Sequence, residues 1–330
     1  MPESKQPSSV LVYVGLDLVG DGLMKLPFIR ALRLAYPNAR ITWLAGKGKS
    51  VFSSLLAPTV KGLIDEIIDE TPVGNRWTEL FSSPLPGRRF DLIIDSQRRL
   101  LTTAILKRID HGTFISGAGN FLFSDKKPAG AYRKPKSMVA ALFDLLDLAA
   151  DEKVRPLGGL SIDPKFAEGA KILLPDGATY IGLSPGAGGK HKCWPLEKFC
   201  LLAERLADKE LAPVILLGPA EADWEEDVRH LSPRALLPLQ DEKAKTFEKS
   251  PLLTIALGER LTAAVANDSG TGHMLAAADV PLLSLFGPTP PEKFAPFISR
   301  GKIIEAQTFG GEEMSVIPVD AVLEALEDLL

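Results

Sequence analysis

A chain of 330 residues, 45% hydrophobic and 24% charged, is long for one core, so two domains of about 150 residues each are expected. The formal charge of −4 divides unevenly: residues 1–160 hold 22 Lys+Arg against 16 Asp+Glu (+6), and residues 161–330 hold 16 against 26 (−10). An acidic second half excludes a long nucleic-acid partner, whose phosphates need a basic face. The basic first half suits an anionic acceptor or membrane surface, with ordinary solvated faces as the plain alternative.

In chain order, Ser9–Leu16 is an apolar strand, Gly20-Asp21-Gly22 breaks it, and Leu23–Ala35 has helical periodicity. Strands follow at Ile41–Ala45, Leu63–Ile68, Leu92–Ile94 and Thr113–Ile115, with helices over Gln97–Arg108 and Lys136–Ala150. Gly117–Pro135, rich in Gly, Lys and aromatic residues, reads as a mobile loop. Asp151–Asp163, with Pro156, Gly158 and Gly159, ends the first domain, giving domains of residues 1–160 and 161–330. The alternation then restarts: strand Tyr180–Leu183, helix Leu196–Ala207, strand Val214–Leu217, helices Glu221–Arg229 and Ser250–Leu257, strand Leu261–Ala266. After that come an Ala-rich helix, a strand around Leu282–Leu285 and a terminal helix Val319–Leu330. Such alternation predicts an α/β fold of two doubly wound, Rossmann-like parallel sheets, with ligands at the carboxyl ends of the strands and a cleft between the domains.

Three turns could carry chemistry. In the first, Asp21 follows a strand and opens a helix, so it is either a general base toward an alcohol or a helix cap. Gly15, Gly20 and Gly22 lack the GxGxxG spacing of a dinucleotide site, which disfavours a nicotinamide oxidoreductase. In the second, Ser184–Pro195, Gly186, Gly188 and Gly189 let backbone approach a ligand beside Lys190 and Lys192, without the spacing of an ATPase P-loop. The third is Asn267-Asp268-Ser269-Gly270-Thr271-Gly272-His273, whose hydroxyls, glycines and helix-start amides suit a phosphate. Glu221, after the Val214–Leu217 strand, is either a ribose-binding acid or a helix-start acid. No histidine pair has i, i+4 spacing and no Asp-x-Asp occurs, so an anion site without a metal or other cofactor is expected. Cys193 and Cys200 match no zinc or redox motif. The stretch Met1–Val10 has no leader-like pattern, and no apolar run is long enough to span a bilayer; a cytoplasmic protein is expected.

Three blocks together resemble glycosyltransferase family nine, the heptosyltransferases of lipopolysaccharide core assembly. They are Gly20-Asp21-Gly22 through Pro27 with Tyr36-Pro37, then Ser184-Pro185-Gly186-Ala187 through Lys192-Cys193-Trp194-Pro195, and Asn267–Ala278 through Phe286-Gly287-Pro288-Thr289. The resemblance implies a GT-B architecture, with the acceptor on the first domain, a nucleotide-sugar donor on the second, and inverting transfer without a metal. It implies Asp21 as catalytic base and Lys192 as the cation at the departing diphosphate. Asp268 would contact the donor sugar, Ser269, Gly270 and Thr271 the diphosphate, His273 would follow that turn, and Glu221 would hold the ribose. Ala187 and Gly188 stand where inner-core members carry hydroxyl residues at the donor, and Gly15-Leu16-Asp17-Leu18 where many carry a basic residue. The implied partners are ADP-heptose or a related donor and a lipopolysaccharide-core or other glycan acceptor, with peripheral contact at the inner membrane left open. Two alternatives stand beside this: a non-catalytic nucleotide-sugar-binding module, and a nucleotide-sugar epimerase on the same fold.

Overall fold

The computed structural model describes residues 6–17, 19–248 and 250–330. Residues 1–5 of the stretch read for a leader, and Leu18 of the first turn, lie outside the described residues. The chain divides into two compact units between Pro156 and Leu157.

The first unit contains β1 (Ser9–Val14), α1 (Val19–Ala35), β2 (Arg40–Ala45), β3 (Glu66–Ile68), β4 (Arg89–Asp95), α2 (Leu100–Leu106), β5 (Asp110–Ser116) and α3 (Met138–Ala150). Its five strands pair in parallel in the order β3-β2-β1-β4-β5. Val10–Val14 is buried on both faces, as expected of a central parallel strand covered by helices on each side. The order reverses between β1 and β4, so their carboxyl ends form the switch point where such sheets bind ligands.

Three expectations change here. The strand foreseen at Leu63–Ile68 shortens to Glu66–Ile68 at the sheet edge. The helix foreseen from Gln97 starts at Leu100, because the Asp95 carboxylate accepts the Gln97 backbone N–H (2.8 Å) and draws the chain after β4 away from a helical path. Gly117–Pro135 is tied down rather than loose: Phe121 is buried, and the Tyr132 hydroxyl donates to Asp144 while accepting from Arg98.

The second unit contains α4 (Pro164–Leu173), β6 (Tyr180–Ser184), α5 (Leu196–Asp208), β7 (Ala212–Ile215), α6 (Glu225–Leu231), α7 (Pro251–Gly258), β8 (Ala263–Asn267), α8 (Gly270–Ala277), β9 (Leu282–Phe286), α9 (Pro291–Phe294), β10 (Gly301–Glu305) and α10 (Val319–Glu327). Its strands are also all parallel, in the order β10-β9-β8-β6-β7. Counted within the unit this is 2-1-3-4-5, the flavodoxin-like order, with its switch point between β6 and β8. Leu157–Leu160 go with this unit: the Leu160 N–H donates to Ala277 O (2.6 Å). Helix α4, which the linker reading passed over, starts with Asp163 capping Lys165 N and Pro164 at its first position, a common helix opening. Residues 221–224, expected as the start of a helix, belong to a 3-10 turn (Pro219–Trp224), and α6 begins at Glu225. No helix among the described residues is long and apolar enough to cross a membrane.

Candidate active site

At the switch point of the first sheet, Asp21 sits in the first turn of α1. The helix is already under way at Val19, so Asp21 is a first-turn acid and not the cap. Its side chain has no hydrogen-bond or ion-pair partner among the described residues. The neighbouring carboxylate, Asp17, is wholly committed to the fold. It pairs with the Lys25 ammonium and accepts from Trp43 Nε1 (2.7 Å) and Ser50 Oγ (3.1 Å), with its side chain 0% exposed. Of two acids in one turn, the structure therefore leaves Asp21 available. Beside them, Gln97 Oε1 fills the space where a Cβ on Gly15 would lie. Asp95, at the end of β4, is pushed up to about 6 by burial, against hydrogen bonds from Thr103, Ser116 and the Gln97 amide.

In the second unit, the loop after β6 and the turn after β8 meet at the other switch point. Lys192 ends a 3-10 turn, Lys190–Lys192, and its Nζ lies 2.8 Å from Asp268 Oδ2. The same oxygen accepts the Thr289 hydroxyl (2.7 Å). The pair is only partly shielded, with side chains 26% and 10% exposed, and the ammonium lies 5.8 Å from the centre of the Phe294 ring. Ser269 is the N-cap of α8, accepting the Gly272 N–H (3.1 Å), and α8 has no acid in its first turn. Its opening amides, at Gly270 and Thr271, form a site of positive potential. His273 is buried and pushed down to about 4 by desolvation, with Asp268 pulling the other way, so burial favours the uncharged ring.

The loop glycines divide their work. The space over Gly186 is filled by the Glu221 carboxylate, within 2.5–2.7 Å of an added Cβ, and Gly218 meets the same group. Gly186 thus makes room for Glu221, which corrects the expectation that it opens onto a ligand. Gly188 does face open space, Gly189 lies under the His191 ring, and Ala187 is half-buried. The Glu221 carboxyl is pushed up by burial, opposed by backbone N–H bonds at Gly218 and at Glu221 itself.

The structure thus brings together Lys192, Asp268, Ser269, Gly270, Thr271 and His273 around one strand end, and sets Glu221 against the same loop at Gly186. Asp21 belongs to the other unit. Sequence reasoning missed the Asp17–Lys25 pair and gave no part to Thr289 or Phe294; Thr289 closed a quoted block, whereas Phe294 had no signal at all. No cluster of metal-ligating side chains occurs among the described residues.

Residues 80–314 match the profile of glycosyltransferase family 9 (heptosyltransferase). The chain belongs to this family. It is a glycosyltransferase, and lipooligosaccharide heptosyltransferase 2 of Haemophilus influenzae is 27% identical to it across 97% of this chain and 99% of the relative. Lipopolysaccharide heptosyltransferase 1 of Pseudomonas aeruginosa is 28% identical across 85% of this chain and 79% of its own length. The crystal structure of a family 9 protein from Veillonella parvula has the same fold, with a TM-score of 0.70 at 20% identity over 98% of this chain and 97% of that one. So has the E. coli heptosyltransferase WaaC solved with ADP, with a TM-score of 0.64 at 21% identity over 98% and 100%. The family 9 chain therefore has the GT-B fold of two parallel-sheet α/β units.

Proposed function

We propose that this family 9 glycosyltransferase moves a heptose from ADP-heptose onto a lipopolysaccharide-core acceptor, with inversion and without a metal ion. The relatives named for heptosyl transfer, and the WaaC structures with ADP and with ADP-2-deoxy-2-fluoro heptose, support the donor. The observation that carries most weight is the junction at the second switch point: an ammonium (Lys192) and the acid-free amide end of α8 occupy neighbouring positions at the ends of β6 and β8.

In the reaction, Asp21 takes the proton from an acceptor hydroxyl as that oxygen attacks the anomeric carbon from the face opposite the diphosphate. The C–O bond to phosphate breaks, and ADP leaves with the electron pair. Its new charge is met by Lys192 and the amides of Gly270 and Thr271, donors already in place before the charge develops. Glu221 holds ribose hydroxyls and Asp268 contacts the sugar. The excess positive charge of residues 1–160 suits a phosphorylated acceptor presented at the cytoplasmic face of the inner membrane.

A thermal-shift panel of ADP, UDP and GDP tests the donor class, since a ligand bound to the folded state raises apparent stability by mass action. A shift with UDP or GDP but not ADP would overturn the adenine assignment. Asp21→Asn should lower transfer to a truncated lipopolysaccharide on the order of 10²–10⁴-fold with ADP binding retained; unchanged transfer removes Asp21 from the role of base.

A further inference from the structure

We infer that Asn267 is the positioning residue for Lys192, closing the loop that carries the lysine; this rests on the leaving-group role proposed for Lys192. Asn267 ends β8 and is 1% exposed. An amide so deeply placed is costly unless both its ends are paired, and both are. Nδ2 donates to the Pro185 carbonyl (2.7 Å) and Oδ1 accepts the Trp194 backbone N–H (3.1 Å).

Those two partners are the two ends of one loop. Pro185 is the first residue after β6, and Trp194 is the last before the helix start at Pro195–Leu196. Everything between them, including Gly188 over open space and the turn that ends in Lys192, hangs from that base. On one side the base is anchored in the core, where the indole of Trp194 is 0% exposed, donates to Ile317 O (3.0 Å) and meets the Phe199 ring edge-on at 4.9 Å. The next residue along the chain, Asp268, takes the Lys192 ammonium. Two consecutive side chains at the end of β8 therefore set the width of the loop and the place of its lysine. Without Asn267 the loop ends lose their common partner, and the lysine is left to the partly exposed Asp268 contact and the Phe294 ring. A misplacement on the order of 1 Å costs about 10²-fold in rate.

A double-mutant cycle with nucleotide-sugar transfer as readout, and melting curves to establish folding, tests the inference. In the wild-type background, Asn267→Ala should lower kcat about 10–100-fold with a smaller change in donor KM. In the Lys192→Ala background the same change should cost under about 3-fold, because the residue it positions is already gone. Asn267→Asp keeps the size and the acceptor for Trp194 but sets a carboxylate oxygen against Pro185 O; it should behave like the alanine variant. If Asn267→Ala does not fold, Asn267→Ser, which can still pair one loop end, enters the same cycle and should fall between wild type and Asn267→Asp. Equal losses in both backgrounds overturn the inference and make Asn267 a residue of the fold alone. Wild-type transfer by Lys192→Ala overturns instead the leaving-group role on which it rests.

Discussion

The helices that open at the two switch points, α1 after β1 and α8 after β8, each follow the middle strand of a five-stranded sheet and carry opposite chemistry. The opening of α1 has an acid in its first turn and a second acid just before it. The opening of α8 has a serine cap, no acid in its first turn and a lysine from the adjoining loop nearby. A helix N-terminus with bare amides attracts an anion, whereas one already supplied with carboxylate repels it. In the proposed reaction the same strand–helix unit would mount a proton acceptor in one domain and seat an anion in the other. The lysine–aspartate pairs at the two places differ in the same sense. Lys25–Asp17 is sealed, with side chains 7% and 0% exposed, while Lys192–Asp268 stays open at 26% and 10%. A sealed pair holds structure together; an open one can change partners when a ligand arrives.

The largest effect expected from this contrast is on stability. Lys25→Met strands the buried Asp17 carboxylate and should destabilise the protein by about 3–5 kcal/mol in urea unfolding. The double variant Asp17→Asn/Lys25→Met should recover most of that loss, because replacing both charges avoids the stranded one. A stable Lys25→Met single variant would erase the contrast. Next in size is Lys192→Met, which should leave the melting temperature nearly unchanged while lowering transfer by about 10²–10³-fold. A large stability loss with Lys192→Met would make the second pair as structural as the first.

Those two pairs also mark where sequence reading stops. The strand–turn–helix pattern at Asp21, the glycine-rich loop with Lys192 and the Asn267–His273 turn were all legible, because each is local and each follows an apolar strand. Lys25 falls within an apolar helical run, and its partner Asp17 lies beyond a turn whose geometry no periodicity reveals. The Asn267 bonds reach back 73 and 82 positions, a span over which only the completed sheet fixes neighbours. Gly186 could not be told from Gly188, since one faces Glu221 and the other open space. Helix α4 has a legible opening at Asp163-Pro164, but it follows directly on Pro156, Gly158 and Gly159, whose composition points to a linker. Strand β10 was missed because it is only partly buried and lies at the edge of its sheet, where alternation is weak.

Acid pH should act on the two units in opposite directions. His273 is held down near 4 in the folded chain, against 6.5 unperturbed. Its contribution is therefore full above about pH 6.5 and is lost as pH falls toward 4, an effect on the order of 3 kcal/mol. Asp95 is raised to about 6 from 3.8. Its contribution is present below about pH 4 and lost as pH rises through 6, by a similar amount of roughly 3 kcal/mol. Between pH 7 and pH 4 the second unit thus loses what the first gains. Melting temperatures across this range should fall less steeply toward acid for His273→Gln than for wild type, and more steeply for Asp95→Asn. Parallel curves for all three proteins would remove both groups from the pH response.

The smallest effect separates two roles of one hydroxyl at the anion end of the comparison. Ser269 Oγ accepts the Gly272 N–H as the cap of α8, yet its hydroxyl hydrogen can still be given to a phosphate oxygen. Loss of the cap in Ser269→Ala should cost about 1 kcal/mol of stability. Ser269→Gly removes the same hydroxyl but should cost only a few tenths of a kcal/mol, because glycine is itself tolerated at the cap position. If the hydroxyl also binds the donor, both variants should raise donor KM by a similar factor despite their different stabilities. If it only caps, KM should stay at the wild-type value in the glycine variant, and the seat for the diphosphate is then built from the amides of α8 and Lys192 alone.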